Sequence, residues 1–176
     1  MPTCFHAGAN GPWSIVSVTA IAGESVPNAP RLTIAPGDAS DAVWTLRGFT
    51  SNKRYTTRTE ADALDARPAP LDRPHATRGA LIPIRKSKAW WDLAQDERRE
   101  VFEAQSGHLE TGLHYMPQIA RRLYHSRDLG EAFDFLTWFE FAPEHEPLFD
   151  QLLVRLRASA EWRYVDREVD LRVARG

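Results

Sequence analysis

The chain has 176 residues, 43% of them hydrophobic, enough for one ordinary domain or two fused half-domains and unlike a disordered or collagen-like composition. Its 22 Lys and Arg against 24 Asp and Glu give no bulk attraction for nucleic acid or an anionic membrane, so any anion site has to be local. A single cysteine, Cys4, excludes a disulfide framework, a four-thiolate iron–sulfur cluster and a thiolate zinc site.

In chain order, alternation predicts strands over 13–21, 31–34 and 42–49, then one weak helix near 59–66. Three prolines, Pro68, Pro70 and Pro74, forbid regular pairing and mark a connector. The chain thus divides into residues 1–78, a truncated first half with its proline-rich connector, and residues 79–176, a second half that reads more clearly. Residues 80–85 form an apolar strand whose Pro83 suggests an edge position or a bulge. Helical spacing of Trp90, Trp91, Leu93, Ala94, Val101 and Phe102 predicts a helix over 87–105. After an irregular or helical stretch, strands follow over 119–124 and 133–141, joined by turn chemistry at Asp128 to Glu131. Pro143 suits the first turn of a helix carried on by Leu148, Phe149, Leu152, Leu153 and Leu156, and a last strand covers 162–173. The order βαββαβ is that of a ferredoxin-like unit, with both helices on one face of an antiparallel sheet. The expected fold is an α+β barrel of two such half-domains, the N-terminal one degenerate. No apolar run approaches the roughly 20 residues that cross a bilayer. The start Met1-Pro2-Thr3-Cys4-Phe5-His6 lacks the features of a secretory leader, and a soluble cytoplasmic protein is expected.

If helices cover one sheet face, the other must meet a second sheet, another subunit or a ligand. Alternation puts Phe133, Phe135, Thr137, Phe139 and Phe141 on one side, and Asp134, Leu136, Trp138 and Glu140 on the other. Should Arg121 and Leu123 share a side with Thr137 and Phe139, a guanidinium sits among apolar groups on that uncovered face. A charge so placed needs either a buried carboxylate or a bound anion. Pattern alone leaves both open.

The segments YMPQIARRLYHSRDLG (115–130) and FDFLTWFEF (133–141) closely resemble the heme-binding half of chlorite dismutases. PIRKSKAWWD (83–92) and SNKRY (51–55) resemble other parts of the same family, and the length resembles its short, dimeric branch. Ordered matches over more than a hundred residues are far less accidental than one short motif. The resemblance implies a homodimer and a heme b whose iron is held by His108. It makes Arg121 the distal, catalytic arginine and Glu161 the carboxylate accepting a hydrogen bond from the ligand histidine. A carboxylate there fixes the imidazole tautomer and strengthens it as a donor. Lys86, Trp90 and Tyr55 would line the heme edge and propionates, with Trp91 beside them, and Leu123, Thr137 and Phe139 would surround the distal side. By itself Lys86 reads as a solvated lysine, and a tryptophan pair on a helix as core. Of the other histidines (His6, His75, His114, His125 and His145), His114 is the rival ligand, six residues beyond His108.

The implied activity is conversion of chlorite to chloride and dioxygen. Arg121 would retain a hypochlorite-type fragment until the oxygen–oxygen bond forms, and detoxification is one role open to such an enzyme. The alternatives are a coproheme decarboxylase, which typically carries an uncharged residue where Arg121 stands, and a non-catalytic heme-binding or dimerising α+β barrel.

Overall fold

A computed structural model of the chain describes residues 1–50, 69–105, 107, 111, 114–115 and 117–176. Among these residues there are eight strands: β1 (Thr3–Gly8), β2 (Trp13–Ala22), β3 (Arg31–Pro36), β4 (Ala42–Thr50), β5 (Arg78–Lys86), β6 (Ala120–His125), β7 (Phe135–Phe141) and β8 (Val165–Ala174). They pair antiparallel into one closed barrel in the order β1-β3-β2-β8-β5-β7-β6-β4. The expected helix over 87–105 is three pieces: α1 (Lys88–Asp92), α2 (Gln95–Arg99) and a wider turn, Glu100–Gln105. The break comes where Leu93 and Ala94 are extended, and the Ala94 N–H is capped by Glu97 Oε2 at 2.6 Å, which restarts the helix. The longest helix among the described residues, α3 (Glu146–Arg157), follows a tight turn over Pro143–His145. No helix among the described residues is long and apolar enough to cross a membrane.

Side-chain alternation divides the molecule radially. Inside the barrel lie Phe5, Trp13, Leu32, Leu46, Leu81, Tyr124, Leu136, Trp138, Val169, Leu171 and Val173, drawn from both halves of the chain. Trp13 meets Trp138 edge-on at 5.2 Å, and Phe5 meets Tyr124 at 5.3 Å. Outside, α3 lays Phe149, Leu152, Leu153 and Leu156 on Ala80, Ile82, Ile84, Phe135, Phe139 and Phe141.

Several expectations change. β1 was not foreseen; its six residues pair with both β3 and β4 and close the barrel. β5 is central, between β7 and β8, so Pro83 is at no edge. The ladder to β8 instead skips Ile82 and Pro83, between the Leu81–Leu171 and Ile84–Glu168 pairs, which removes the need for the missing N–H. The aromatic strand starts at Phe135, and Phe133 leaves the alternation to join the barrel interior. The sheet face opposite the helices is bare to neither solvent nor ligand, because the N-terminal strands curl round and fill it with their own side chains. The predicted helix near 59–66 lies outside the described residues.

Candidate functional site

The register of β6 on β7 pairs Arg121 with Phe139, Leu123 with Thr137 and His125 with Phe135. Arg121, Leu123, Thr137 and Phe139 therefore share a face, as their alternation requires. That face is the outer, helix-bearing one, since Phe139 packs 4.9 Å from Phe149 of α3. The expected location on the uncovered side is corrected by barrel closure. Arg121 is partly buried, and among the described residues no carboxylate ion-pairs with it. Burial presses its pKa down and the more distant Glu161 opposes the shift. A guanidinium remains charged under such a shift.

The carboxylate that could have neutralised it is already engaged. Glu161, in the turn Ala160–Tyr164, accepts a hydrogen bond from Lys86 Nζ at 2.6 Å, with side-chain exposures of 1% for the lysine and 5% for the glutamate. Lys86 is thus no solvated lysine. Its Nζ also lies 4.4 Å from the Trp90 ring centroid and 5.6 Å from that of Trp162, an aromatic cradle suited to a cation. Burial lowers the ammonium's pKa, while Glu161, then Asp134 and Glu168, pull it back up. A buried charge pair of this kind contributes little net stability, yet losing one partner strands the other.

The tryptophan pair splits between two environments. Trp90 is buried against Lys86 and Tyr164, with the Tyr164 ring at 5.5 Å. Trp91 is partly exposed, stacked on Phe135 at 6.1 Å and 17°, with the Arg127 guanidinium 3.8 Å from its ring centroid. Its indole N–H reaches Asp134 Oδ2 at 3.3 Å. Asp134 was not singled out by sequence reasoning as a site residue. The signal available was a lone acid inside an aromatic run, Phe133-Asp134-Phe135.

His108 and Tyr55 lie outside the described residues. The wide turn Glu100–Gln105, which leads towards His108, packs against the turn carrying Glu161. His114 is exposed and meets Tyr115 edge-on at 5.1 Å. His6 hydrogen-bonds Thr45, His125 contacts Phe135 at 5.2 Å, His75 is exposed and His145 stands at the N-cap position of α3 without a side-chain cap bond; of these, His125 lies two residues beyond Leu123 on the same face as Arg121. Among the described residues the arrangement offers a cation without an ion-pair partner over an apolar sheet face, and a buried acid held by a buried base.

Comparison with known proteins gives these features a context. The sequence profile of the family described as chlorite dismutase matches residues 31–176. A curated chlorite dismutase from Ideonella dechloratans is 31% identical over 84 residues, 48% of this chain and 27% of that protein, so the match spans about a quarter of the relative's length. The crystal structure of dimeric chlorite dismutases from Nitrobacter winogradskyi is 55% identical, covers 98% of this chain and 99% of that one, and superposes with a TM-score of 0.93. Chlorite dismutase from Candidatus Nitrospira defluvii in complex with imidazole is 25% identical over 81% of this chain and 56% of that one, with a TM-score of 0.59.

Proposed function

Because the chain belongs to the chlorite dismutase family, we propose that it is a heme b enzyme converting chlorite to chloride and dioxygen. The observation that carries this reading is the partly buried Arg121 guanidinium on an apolar face with no ion-pair partner among the described residues. Such a charge suits an anion brought from outside the protein. The residues also fit the cofactor: an apolar sheet face for a porphyrin, and a buried acid next to the segment that leads to His108. The dimeric assembly of the Nitrobacter winogradskyi relative supports a homodimer here. The division into a truncated first half (1–78) and a heme-binding ferredoxin-like half (79–176) belongs to the same proposal.

In this reading His108 holds the iron and Glu161 accepts the hydrogen bond from its other ring nitrogen. Heme, when bound, supplies the two-electron chemistry that breaks a chlorine–oxygen bond. The protein's own contribution on the distal side is electrostatic. Arg121, always charged and presenting a fork of donors, orients the incoming anion and retains the hypochlorite-type fragment. Leu123, Thr137 and Phe139 present no titrating group to compete for it, which suits a reaction with no net proton transfer. Lys86, bonded to Glu161, tempers that carboxylate's pull on the ligand histidine. Trp90 is assigned to the heme edge together with Tyr55.

An oxygen-electrode trace with chlorite on heme-reconstituted protein tests ligand, cofactor and reaction together. Oxygen evolution is expected, and its absence from protein that has taken up heme overturns the activity. Conversion of added coproheme with peroxide would favour the decarboxylase instead. His108→Ala should weaken heme retention far more than His114→Ala, and the reverse order transfers the ligand role to His114.

A further inference from the structure

We infer that Asp134 is a positioning residue whose buried carboxylate clamps Lys86 against Glu161. The residue stands immediately before β7 and is 5% exposed. Its Oδ2 accepts the backbone N–H of Lys86 at 2.7 Å and the indole N–H of Trp91 at 3.3 Å, while Oδ1 takes the Arg127 guanidinium at 3.3 Å. Its backbone works in the same direction. The Asp134 N–H donates to Ile84 O at 2.9 Å, and its carbonyl accepts from Ser126 and Arg127. One residue therefore ties the end of β5, the helix α1 and the turn between β6 and β7.

The clamp is applied where β5 needs it. The register between β5 and β8 shifts between Arg85 and Lys86, so the end of the strand is irregular at the residue that carries the buried ammonium. A carboxylate on the Lys86 N–H fixes the backbone from which the side chain reaches Glu161. Its negative charge also opposes the lowering of the Lys86 pKa by burial, and so favours the ammonium form. A charge-assisted hydrogen bond to a buried carboxylate is about twice as strong as a neutral one. A neutral residue would therefore hold Lys86 less firmly in both respects.

The consequence at the cofactor rests on the heme reading above. With Lys86 in place, part of the Glu161 charge is spent on the ammonium. With Lys86 loosened, Glu161 becomes the stronger acceptor for the ligand histidine, the imidazole donates more to iron, and the ferric state is favoured. Asp134 thus tunes the metal through two intermediaries without touching it.

Two measurements test this. In the heme-free chain, Asp134→Asn should speed acetylation of the Lys86 amine, followed by mass spectrometry, by roughly tenfold. Exposed Lys88 serves as the internal control. Should the Asn variant not fold, Asp134→Glu carries the same expectation, since it displaces the carboxylate. In heme-loaded protein, Asp134→Asn and Lys86→Met should each move the iron's reduction potential to more negative values, and the double variant should move it no further than Lys86→Met alone. Unchanged acetylation overturns the clamp. Additive potential shifts, or a shift with Lys86→Met and none with Asp134→Asn, overturn its route to the metal. Protein that takes up no heme sinks the cofactor reading, and the acetylation arm still decides whether Asp134 holds Lys86.

Discussion

The inner and outer faces of the same two strands differ in what they demand. On β6 and β7 the inward residues Tyr124, Leu136 and Trp138 join the hydrophobic cluster of the barrel interior, whereas the outward residues Arg121, Leu123, Thr137 and Phe139 combine a cation with an apolar surface. The inner cluster is sufficient in itself: aromatic rings from both halves of the chain interlock, and its polar tips find local partners, as when the Trp138 indole donates to Glu140 at 2.9 Å. The outer face adds buried charges to its apolar packing. Lys86, Glu161 and Asp134 are buried at a desolvation cost, and Arg121 has its field only distantly answered. Among the described residues the outer face holds a guanidinium without an ion-pair partner, whereas the buried Glu140 of the inner face is hydrogen-bonded by the Trp138 indole and the Asp72 N–H.

That contrast can be broken most forcefully from the inside. Phe5, 0% exposed and packed between Tyr124 and Trp138, should cost about 3–5 kcal/mol of stability when replaced by Ala, measured by urea unfolding of the heme-free chain. A loss below about 1 kcal/mol would mean that the barrel interior is not the stabilising core.

On the outer face, Glu161→Ala should cost about 3 kcal/mol, because it leaves the Lys86 ammonium buried without its acid. The double variant Lys86→Met with Glu161→Leu should recover most of that loss while abolishing the pair's effect on bound heme. If the double variant is as unstable as the single one, the pair serves the fold and not the site.

The smallest structural effect is expected at the residue to which the proposed function gives the greatest weight. Arg121→Ala should change stability by less than about 1 kcal/mol, since no ion pair among the described residues is lost. The same variant should lower chlorite turnover, hasten heme bleaching and release more trappable hypochlorite while leaving heme bound. A large stability loss with unchanged turnover would assign Arg121 to the scaffold.

Strands β2 to β8 were legible because apolar runs, alternation and turn signals are local properties. β1 was not, because Thr-Cys-Phe-His-Ala-Gly has too little β-branched character to stand out, and it becomes a strand by filling the gap between β3 and β4. Pro83 misled for a related reason. A proline argues against a central strand when ladders are assumed continuous, and here the ladder is interrupted beside it.

Among the site residues, the shared face of Arg121, Leu123, Thr137 and Phe139 follows from a period of two once the register is set. Which side of the sheet that face would occupy does not follow. It depends on the N-terminal strands closing the barrel, a contact between segments more than a hundred residues apart. The partnership of Lys86 with Glu161, separated by 75 positions, and the convergence of β5, α1 and the β6–β7 turn on Asp134, are likewise invisible to any local pattern.

Sequence alone determined the chemistry available: which residue types are present, how they alternate, and to which family their order belongs. Tertiary structure decided how those charges are shared, giving Glu161 to Lys86 and leaving Arg121 without a carboxylate of its own among the described residues. The reason is physical. Alternation and capping act over a few bonds, whereas desolvation and ion pairing depend on distances that exist only after the chain has closed on itself.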